Sequence, residues 1–262
     1  MTLTLKKLLL LLLFPIISIA QSDKNACRTL LQINKLIQEN HYKPKPIDDS
    51  LSVYVFDTFL KEIDPENRIF TEIEIKQLKK HQLNIDNFIV EKNCSFIEEL
   101  YNSYNKAITR YKTSIESIRN EPFILSSSEF IEFSSKKFPH AKDEKELKHL
   151  LKKRLLFNVL RDISEVSTNK DSIIANFDAI SKSSKERIFE LYLCKFSALE
   201  ISDDDFNTKF YNVFCSYFDP HTMYLSKSDK SSFLSGVSAD NLSFGLNISM
   251  NEKEEIIVDE VV

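Results

Sequence analysis

Glycine and tryptophan are scarce in this chain, whose 262 residues include two Gly and no Trp. Two glycines are too few for a phosphate-binding loop, a dinucleotide-binding fingerprint or the nucleophile elbow of α/β hydrolases, since each of these needs glycines at fixed spacing. The shortage also disfavours an all-β fold, which needs many tight turns. With 42% hydrophobic and 28% charged residues, the composition is that of a foldable protein that is mainly helical.

A large excess of one charge is also missing. The chain has 35 Lys and Arg against 39 Asp and Glu, a formal net charge of -4. Such a weakly acidic protein has no electrostatic reason to bind nucleic acid. The sequence has no C-x-x-C pair and no histidine at metal-finger spacing from a cysteine, so we predict neither a metal site nor a cofactor.

Residues 1–20 have the pattern of a signal peptide. Two lysines precede an apolar run over residues 8–19, and the small residues Ser18 and Ala20 suit cleavage before Gln21. The run is too short to span the roughly 30 Å of a bilayer core as a helix. We therefore predict an exported protein with no membrane segment after cleavage, with an uncleaved anchor as the alternative.

Export changes what is expected of the four cysteines, Cys27, Cys94, Cys194 and Cys215. An even number of cysteines in an exported chain favours disulfides over redox chemistry. Four cysteines allow three pairings, and we prefer Cys27–Cys94 with Cys194–Cys215, because each pair would join two helices within one half of the chain. Four free buried thiols are the alternative.

Apolar residues at steps of three and four predict helices along most of the chain. The expected helices cover residues 28–40, 49–63, a short stretch after 71, 95–118, 144–165, 172–181, 184–198, 203–217 and 227–234. We interpret the Tyr/Ile stripe over 95–118 as core rather than as a ligand groove. We interpret the basic side of 144–165, which carries Lys148, Lys152, Lys153 and Arg154, as a solvated face. Residues 123–142 show no clear pattern.

The period of the pattern changes after Gly236. Apolar residues alternate over 242–248, a polar turn follows at 251–254, and residues 256–262 are rich in β-branched side chains. These features predict a β-hairpin, and because the chain stops inside its second strand we expect a C-terminal truncation. The expected fold is mainly α, a multi-helix domain followed by the first hairpin of an incomplete domain.

Three segments carry a family resemblance. They are His41-Tyr42 with Pro44, Pro46 and residues 48–52; residues 56–65 with Arg68, Phe70 and Ile75; and residues 218–226 with Phe233. In order and spacing they resemble the N-terminal part of the tail-specific, or carboxy-terminal processing, proteases. The resemblance implies a helical domain over residues 21–235 and the start of an incomplete PDZ-like domain over 236–262.

The resemblance also implies a function. Proteins of that family are periplasmic endopeptidases that bind substrate C-terminal tails with a PDZ domain and cut with a serine activated by a lysine. Nothing in this sequence matches the catalytic domain, so we assign no catalytic residue and expect no peptidase activity from this chain alone. The expected role is a scaffold that can dock protein substrates with exposed C-terminal tails or a periplasmic adaptor.

One stretch resembles the peptide-binding strand of the family's PDZ domain. Its candidate peptide contacts are Phe244, Gly245 and Leu246, with Ser243 where the family has a glycine. His221 beside Asp219 is interpreted as part of a turn rather than as an acid–base pair. A stand-alone exported helical binding protein without enzymatic activity is the alternative to the protease fragment.

Overall fold

The structure, a computed structural model, describes residues 15–122, 124, 130–132, 138–237, 246–250 and 256–261. The predicted predominance of helix is confirmed. Helices α1 to α10 cover, in order, Pro15–Asn40, Asp49–Ile63, Glu72–Leu78, Ile85–Glu91, Ser95–Arg119, Glu144–Glu165, Lys170–Ala175, Phe177–Ser197, Asp203–Phe218 and Lys227–Val237. A 3-10 turn, Lys79–His81, follows α3, and strands β1 (Leu246–Met250) and β2 (Ile256–Val261) form an antiparallel pair.

Most helices begin where the sequence places a capping side chain. Asp48, Asp143 and Ser202 each accept a hydrogen bond from a backbone N–H two or three residues later, at the starts of α2, α6 and α9. Thr71 and Glu74 form a complete capping box at the start of α3. The predicted helix starts are therefore confirmed at these positions.

Three features of the helices differ from the prediction. Helix α1 begins at Pro15, ahead of the predicted start at residue 28. Helix α4 has no side-chain cap and is too short to show a period, yet it forms because it buries Ile85 and Ile89. The break between α7 and α8 lies at Asn176 rather than at residues 182–183. Helix α8 continues through that stretch because Ser184 is fully buried there, at a position where a small side chain fits.

The first hydrophobic core lies where α2, α5 and α9 meet. The ring of Phe59 packs edge-on against Phe206 and Phe210, with ring centroids 5.0 and 5.2 Å apart, and Phe96 lies 5.5 Å from Phe210. Phe88 of α4 stacks on Phe96 at 5.2 Å. We call this cluster the aromatic core, and it explains part of the high phenylalanine content.

The second core lies between the C-terminal half of α5 and helices α6 and α8, and we call it the aliphatic core. Its buried residues are Tyr111, Ile115, Ile118, Ala141, Leu147, Leu151, Leu155, Val159, Ile163, Ile188 and Phe189. Helix α5 contributes to both cores, which confirms that its Tyr/Ile stripe is core. The two cores therefore share one helix as a common wall.

The chain divides into two compact units, Met1–Met223 and Tyr224–Val262. The second unit contains α10 and the hairpin, in which Leu246 lies opposite Val261. The domain boundary predicted after residue 235 falls inside α10 and stays a prediction, as does the signal peptide, most of which lies outside the described residues. Among the described helices, none combines the length and apolar content that a bilayer span requires.

Candidate functional site

The second motif segment forms a loop around one buried carboxylate. Asp64, which is 2% exposed, ends α2 and accepts hydrogen bonds from the backbone N–H groups of Arg68 (2.7 Å), Ile69 (3.1 Å) and Phe70 (3.0 Å). Hydrogen bonds to an ionised acceptor are strong ones. The connection between α2 and α3 is therefore fixed, and with it the position of Arg68.

A second segment, residues 138–141, runs along this loop. The Asn67 side chain donates to the Phe138 carbonyl at 2.7 Å, and the Glu72 N–H donates to the Ala141 carbonyl at 2.8 Å. Asn67 has a φ of 55°, in the left-handed region that asparagine tolerates better than most residues. The segment thus forms a wall between the loop and the start of α6.

An ion pair joins the same loop to α5. The Arg110 guanidinium donates to the Ile69 carbonyl at 2.8 Å and to Glu74 Oε2 at 3.0 Å. Burial alone would raise the pKa of Glu74, but hydrogen bonds from Arg110 and Thr71 together hold that pKa below its usual value. Glu74 is therefore a charged structural group near neutral pH.

A cavity of about 780 Å³ opens between this loop, residues 138–141 and α6, and we call it the basic cavity. Its charged lining residues are Arg68, Lys153, Arg154, Arg161, Glu132 and Glu146. Its apolar lining includes Phe130, Phe138, Leu150 and Phe157. Basic side chains outnumber acidic ones, so the cavity favours an anionic ligand.

Hydroxyl and amide groups lie beside the arginines of the basic cavity. Asn158 Nδ2 donates to the Tyr192 hydroxyl at 2.8 Å. Burial raises the pKa of Tyr111 to about 12, while the positive charges of Arg154 and Arg68 act on it in the opposite direction. Burial also raises the pKa of Tyr192, again against the same two charges. Both tyrosines are therefore neutral hydrogen-bonding groups, and both arginines lie near them.

The basic side of α6 has two different environments. Lys148 and Lys152 form ion pairs with Glu121 at 3.0 and 2.6 Å near the surface, as a solvated face would. Lys153 and Arg154 line the basic cavity instead, so the interpretation as a solvated face is wrong for them. The signal in the sequence is the seven-residue step from Arg154 to Arg161, which places both arginines on one side of a helix.

Residues beside the first and third motif segments meet at the other end of α2. The Tyr54 hydroxyl lies 3.2 Å from Ser216 Oγ, and the Lys45 ammonium lies 4.8 Å from the centre of the Tyr217 ring and donates to the Tyr217 carbonyl. Asp219 Oδ1 accepts the N–H of His221, whose side chain is exposed. Asp219 thus serves a turn, and these segments act through the fold rather than through chemistry.

A family model described as the tail specific protease N-terminal domain matches residues 33–228. The chain belongs to that family. A curated relative, the tail-specific protease of Haemophilus influenzae, is 23% identical over 245 residues, which is 93% of this chain and 33% of the relative. The chain thus spans about a third of the length of the relative, and the family predicted from the three motif segments is confirmed.

The family match includes every residue that lines the basic cavity. The predicted peptide-contact residues lie beyond it. Leu246 opens β1 with half of its surface exposed, while Phe244 and Gly245 lie outside the described residues. Peptide binding at residues 244–246 therefore stays a prediction for this family member.

The cysteines form one bridge in the structure. Cys27 of α1 is bonded to Cys94, the residue before α5, with Cα atoms 5.2 Å apart. The other predicted pair is wrong in the structure, where Cys194 and Cys215 are free. Cys194 is exposed on α8, whereas Cys215 is buried in α9, and burial raises the pKa of the Cys215 thiol to about 11. A sulfur at the surface and one inside the core do not face each other.

Proposed function

We propose that this chain is the non-catalytic N-terminal region of a periplasmic C-terminal processing serine endopeptidase of the Ser/Lys type. Its role in that enzyme is to act as a scaffold and as a docking domain for substrates or an adaptor protein. The family match over residues 33–228 carries the proposal. The relative, named as a tail-specific protease, supports it because the matched region is only a third of that protein.

The packing of α9 supports the scaffold role. Phe206 and Phe210 hold its first half in the aromatic core, and the contacts of Tyr217 with Lys45 hold its last turn. The chain therefore leaves the first unit from a well-anchored helix end. A helix end held in this way fixes the starting point of whatever follows it in a larger enzyme.

The basic cavity supports the docking role. Its volume of about 780 Å³ lies in the range of ligand-binding pockets, and its lining combines arginines with phenylalanines. Arginine and aromatic side chains are also the residues enriched where proteins bind one another. We propose that a substrate or an adaptor protein places part of its chain in this cavity.

We propose no catalytic residue in this chain. Ser/Lys chemistry needs a desolvated lysine beside a serine, so that the neutral amine can take the serine proton. Two serines in or beside the motif segments have structural contacts: Ser52 donates a hydrogen bond to Asp86 at 2.6 Å, and Ser216 contacts Tyr54. The purified chain should leave a peptide with an apolar C-terminal tail uncut.

The size and location of the native product test the proposal. An antibody against the helical unit, applied to whole cells and to an osmotic-shock fraction, should detect a band much larger than 30.5 kDa in the shock fraction. A band at or just below 30.5 kDa would instead favour the alternative, a stand-alone exported helical binding protein. A band found only in the cytoplasmic fraction would contradict export, which both the protease proposal and the stand-alone alternative require.

A further inference from the structure

The basic cavity brings two arginines close together. Arg68 and Arg154 are both half-buried, and both lie near the Tyr111 and Tyr192 hydroxyls. Arg68 forms an ion pair with Glu66, a carboxylate that is itself exposed to solvent, and its Nε is buried without a hydrogen-bond partner. In the part of the chain that the structure describes, Arg154 has no ion-pair partner. Like charges gathered in a half-buried place are unfavourable unless an opposite charge joins them.

The two acidic groups at the cavity do not fill that role. Glu146 Oε2 accepts the backbone N–H of Lys142 at 2.6 Å, and its own N–H is bound by Asp143, so it belongs to the start of α6. A carboxylate is favourable there because of the helix dipole. Glu132 is exposed to solvent. The positive charge of Arg154 therefore remains available to a ligand, and Arg68, whose partner Glu66 is exposed to solvent, can add to it.

The rest of the lining is apolar. Phe138, Leu150 and Phe157 are each half-buried, and they line the same cavity as the arginines. Fixed polar groups beside an apolar wall are typical of sites that take a ligand with one polar end and one apolar part. Inorganic ions would leave the apolar wall unused, and a wholly apolar ligand would leave Arg154 without an anion.

We propose that the basic cavity binds an apolar chain that ends in a carboxylate. Arg154 and Arg68 would pair with the carboxylate, because a guanidinium can bind both of its oxygens at once. Phe138, Leu150 and Phe157 would cover the apolar chain. This inference rests on the docking role proposed above and names the chemistry that the docking site recognises.

Two natural sources carry this chemistry, the free C-terminus of a peptide and a fatty acid. The direct probe is a fluorescein-labelled peptide of about ten residues that ends in three apolar residues, compared with the same peptide amidated at its C-terminus. Binding to the purified full chain is followed by fluorescence anisotropy. Dodecanoate, added as a competitor and then studied alone by calorimetry, represents the second source.

Three variants test the named residues. Arg154→Gln and Arg68→Gln each remove one guanidinium, and we expect each to weaken binding of the free-acid peptide about tenfold, the size of one charge-assisted hydrogen bond. Lys148→Gln is the matched control, because Lys148 lies on the same helix but pairs with Glu121 outside the cavity. Circular dichroism and a melting curve check the fold of each variant. The Arg68 variant, which changes a partly exposed loop residue, keeps the test decisive if the Arg154 variant does not fold.

The free-acid peptide should bind at least about tenfold more tightly than its amide. Binding of dodecanoate alone, with the same dependence on Arg154, would support the chemistry and assign the source to lipid. Equal binding of acid and amide, an equal loss in Lys148→Gln, or no binding of either ligand would overturn the proposal. These results concern the isolated chain, so they are independent of the native product size that decides the proposed protease origin.

Discussion

The two cores of the first unit are built from different side chains and serve different purposes. The aromatic core joins α2, α4, α5 and α9 through phenylalanine rings in edge-on and stacked contacts. The aliphatic core joins α5, α6 and α8 mainly through Leu, Ile and Val. Phe59 of the second motif segment lies in the aromatic core, whereas the basic cavity, which Arg68 of the same segment also lines, is formed mainly by α6 of the aliphatic core.

This difference separates most of the residues that identify the family from those that can bind a ligand, with Arg68 of the second motif segment as the exception because it lines the basic cavity. Asp64 and Asp219 make the motif segments recognisable, and both carboxylates accept backbone N–H groups of the residues that follow them. Arg154 and Arg161 belong to no motif, yet they line the basic cavity. In this protein a recognisable motif therefore indicates a way of folding more directly than it indicates a binding site.

The largest expected effect comes from removing one ring of the aromatic core. Phe206 is fully buried and contacts Phe59, Tyr101 and Tyr104, so Phe206→Ala should lower the free energy of unfolding by about 4 kcal/mol. Phe189→Ala, at an equally buried position of the aliphatic core, should cost a similar amount. Urea unfolding measures both changes.

Because α5 belongs to both cores, each variant should unfold in a single transition, seen alike by near-ultraviolet and far-ultraviolet circular dichroism. Two separate transitions in either variant would show that the cores are independent units.

The disulfide should have the next largest effect. Cys27 and Cys94 close a loop with a sequence separation of 67 residues, and their bridge should contribute about 3 kcal/mol of stability. Cys27→Ser should therefore lower the melting temperature of material purified under oxidising conditions. Cys194→Ser, at an exposed free thiol, is the matched control and should leave it unchanged.

Peptide mapping without reductant should recover Cys27 linked to Cys94, with Cys194 and Cys215 open to alkylation after unfolding. A linked Cys194–Cys215 peptide would contradict the structure.

The two Asp-Pro turns offer a sharper comparison of a buried carboxylate, Asp64, with a half-buried one, Asp219. Asp64→Asn replaces one acceptor oxygen by an amide that faces the N–H groups of Ile69 and Phe70, so we expect a loss of about 2 kcal/mol. Asp219→Asn keeps one oxygen for the single N–H of His221 and should change stability by less than about 0.5 kcal/mol. If urea unfolding gave equal losses of stability for the two variants, the degree of burial would not determine how much each aspartate contributes.

The smallest expected effect is a dependence of stability on pH that comes from His81, which packs beside Phe88 and Phe96 of the aromatic core. Burial lowers the pKa of His81, and the nearby Glu99 carboxylate, 3.0 Å from Nε2, opposes that change only in part. The unfolded chain therefore binds a proton at a higher pH than the folded chain does. The contribution of neutral His81 to the free energy of unfolding should be complete above about pH 6.5. It should be lost as the pH falls below that value towards the lowered pKa of His81.

Urea midpoints between pH 7.5 and 5.5 measure this effect. His81→Gln should flatten the dependence in that range, and Glu99→Gln should steepen it, because the opposing carboxylate is gone. An unchanged slope in His81→Gln would assign the pH dependence to another group.

Much of the fold could be predicted, because its signals are local in sequence. The pairs Thr71 with Glu74 and Ser202 with Asp205 each indicate a helix start within four residues. The apolar period of α5 is unbroken over its length. Helix α4 escaped prediction because its two buried isoleucines are too few to define a period. Helix α4 is stabilised by the burial of these isoleucines against other parts of the chain, and that burial cannot be read from the local sequence.

The basic cavity could not be predicted, because its parts are distant in sequence. Arg68 is placed by the hydrogen bonds of Asp64, and Arg154 is placed by the packing of α6. Residues 138–141 lie between the loop that carries Arg68 and the start of α6. They come from a stretch whose sequence has no helical or strand period. The predicted Cys194–Cys215 pair was wrong for a related reason, since two cysteines in the same half of the chain can lie one at the surface and one in the core.

The most direct test of where the ligand binds is amide hydrogen exchange with and without the free-acid peptide. We expect added protection in residues 67–72, in residues 138–141 and in the stretch of α6 around Arg154, with no change in residues 41–54 or 216–222. Protection confined to residues 41–54 and 216–222 would contradict the account, because the region of the first and third motif segments would then be the binding site.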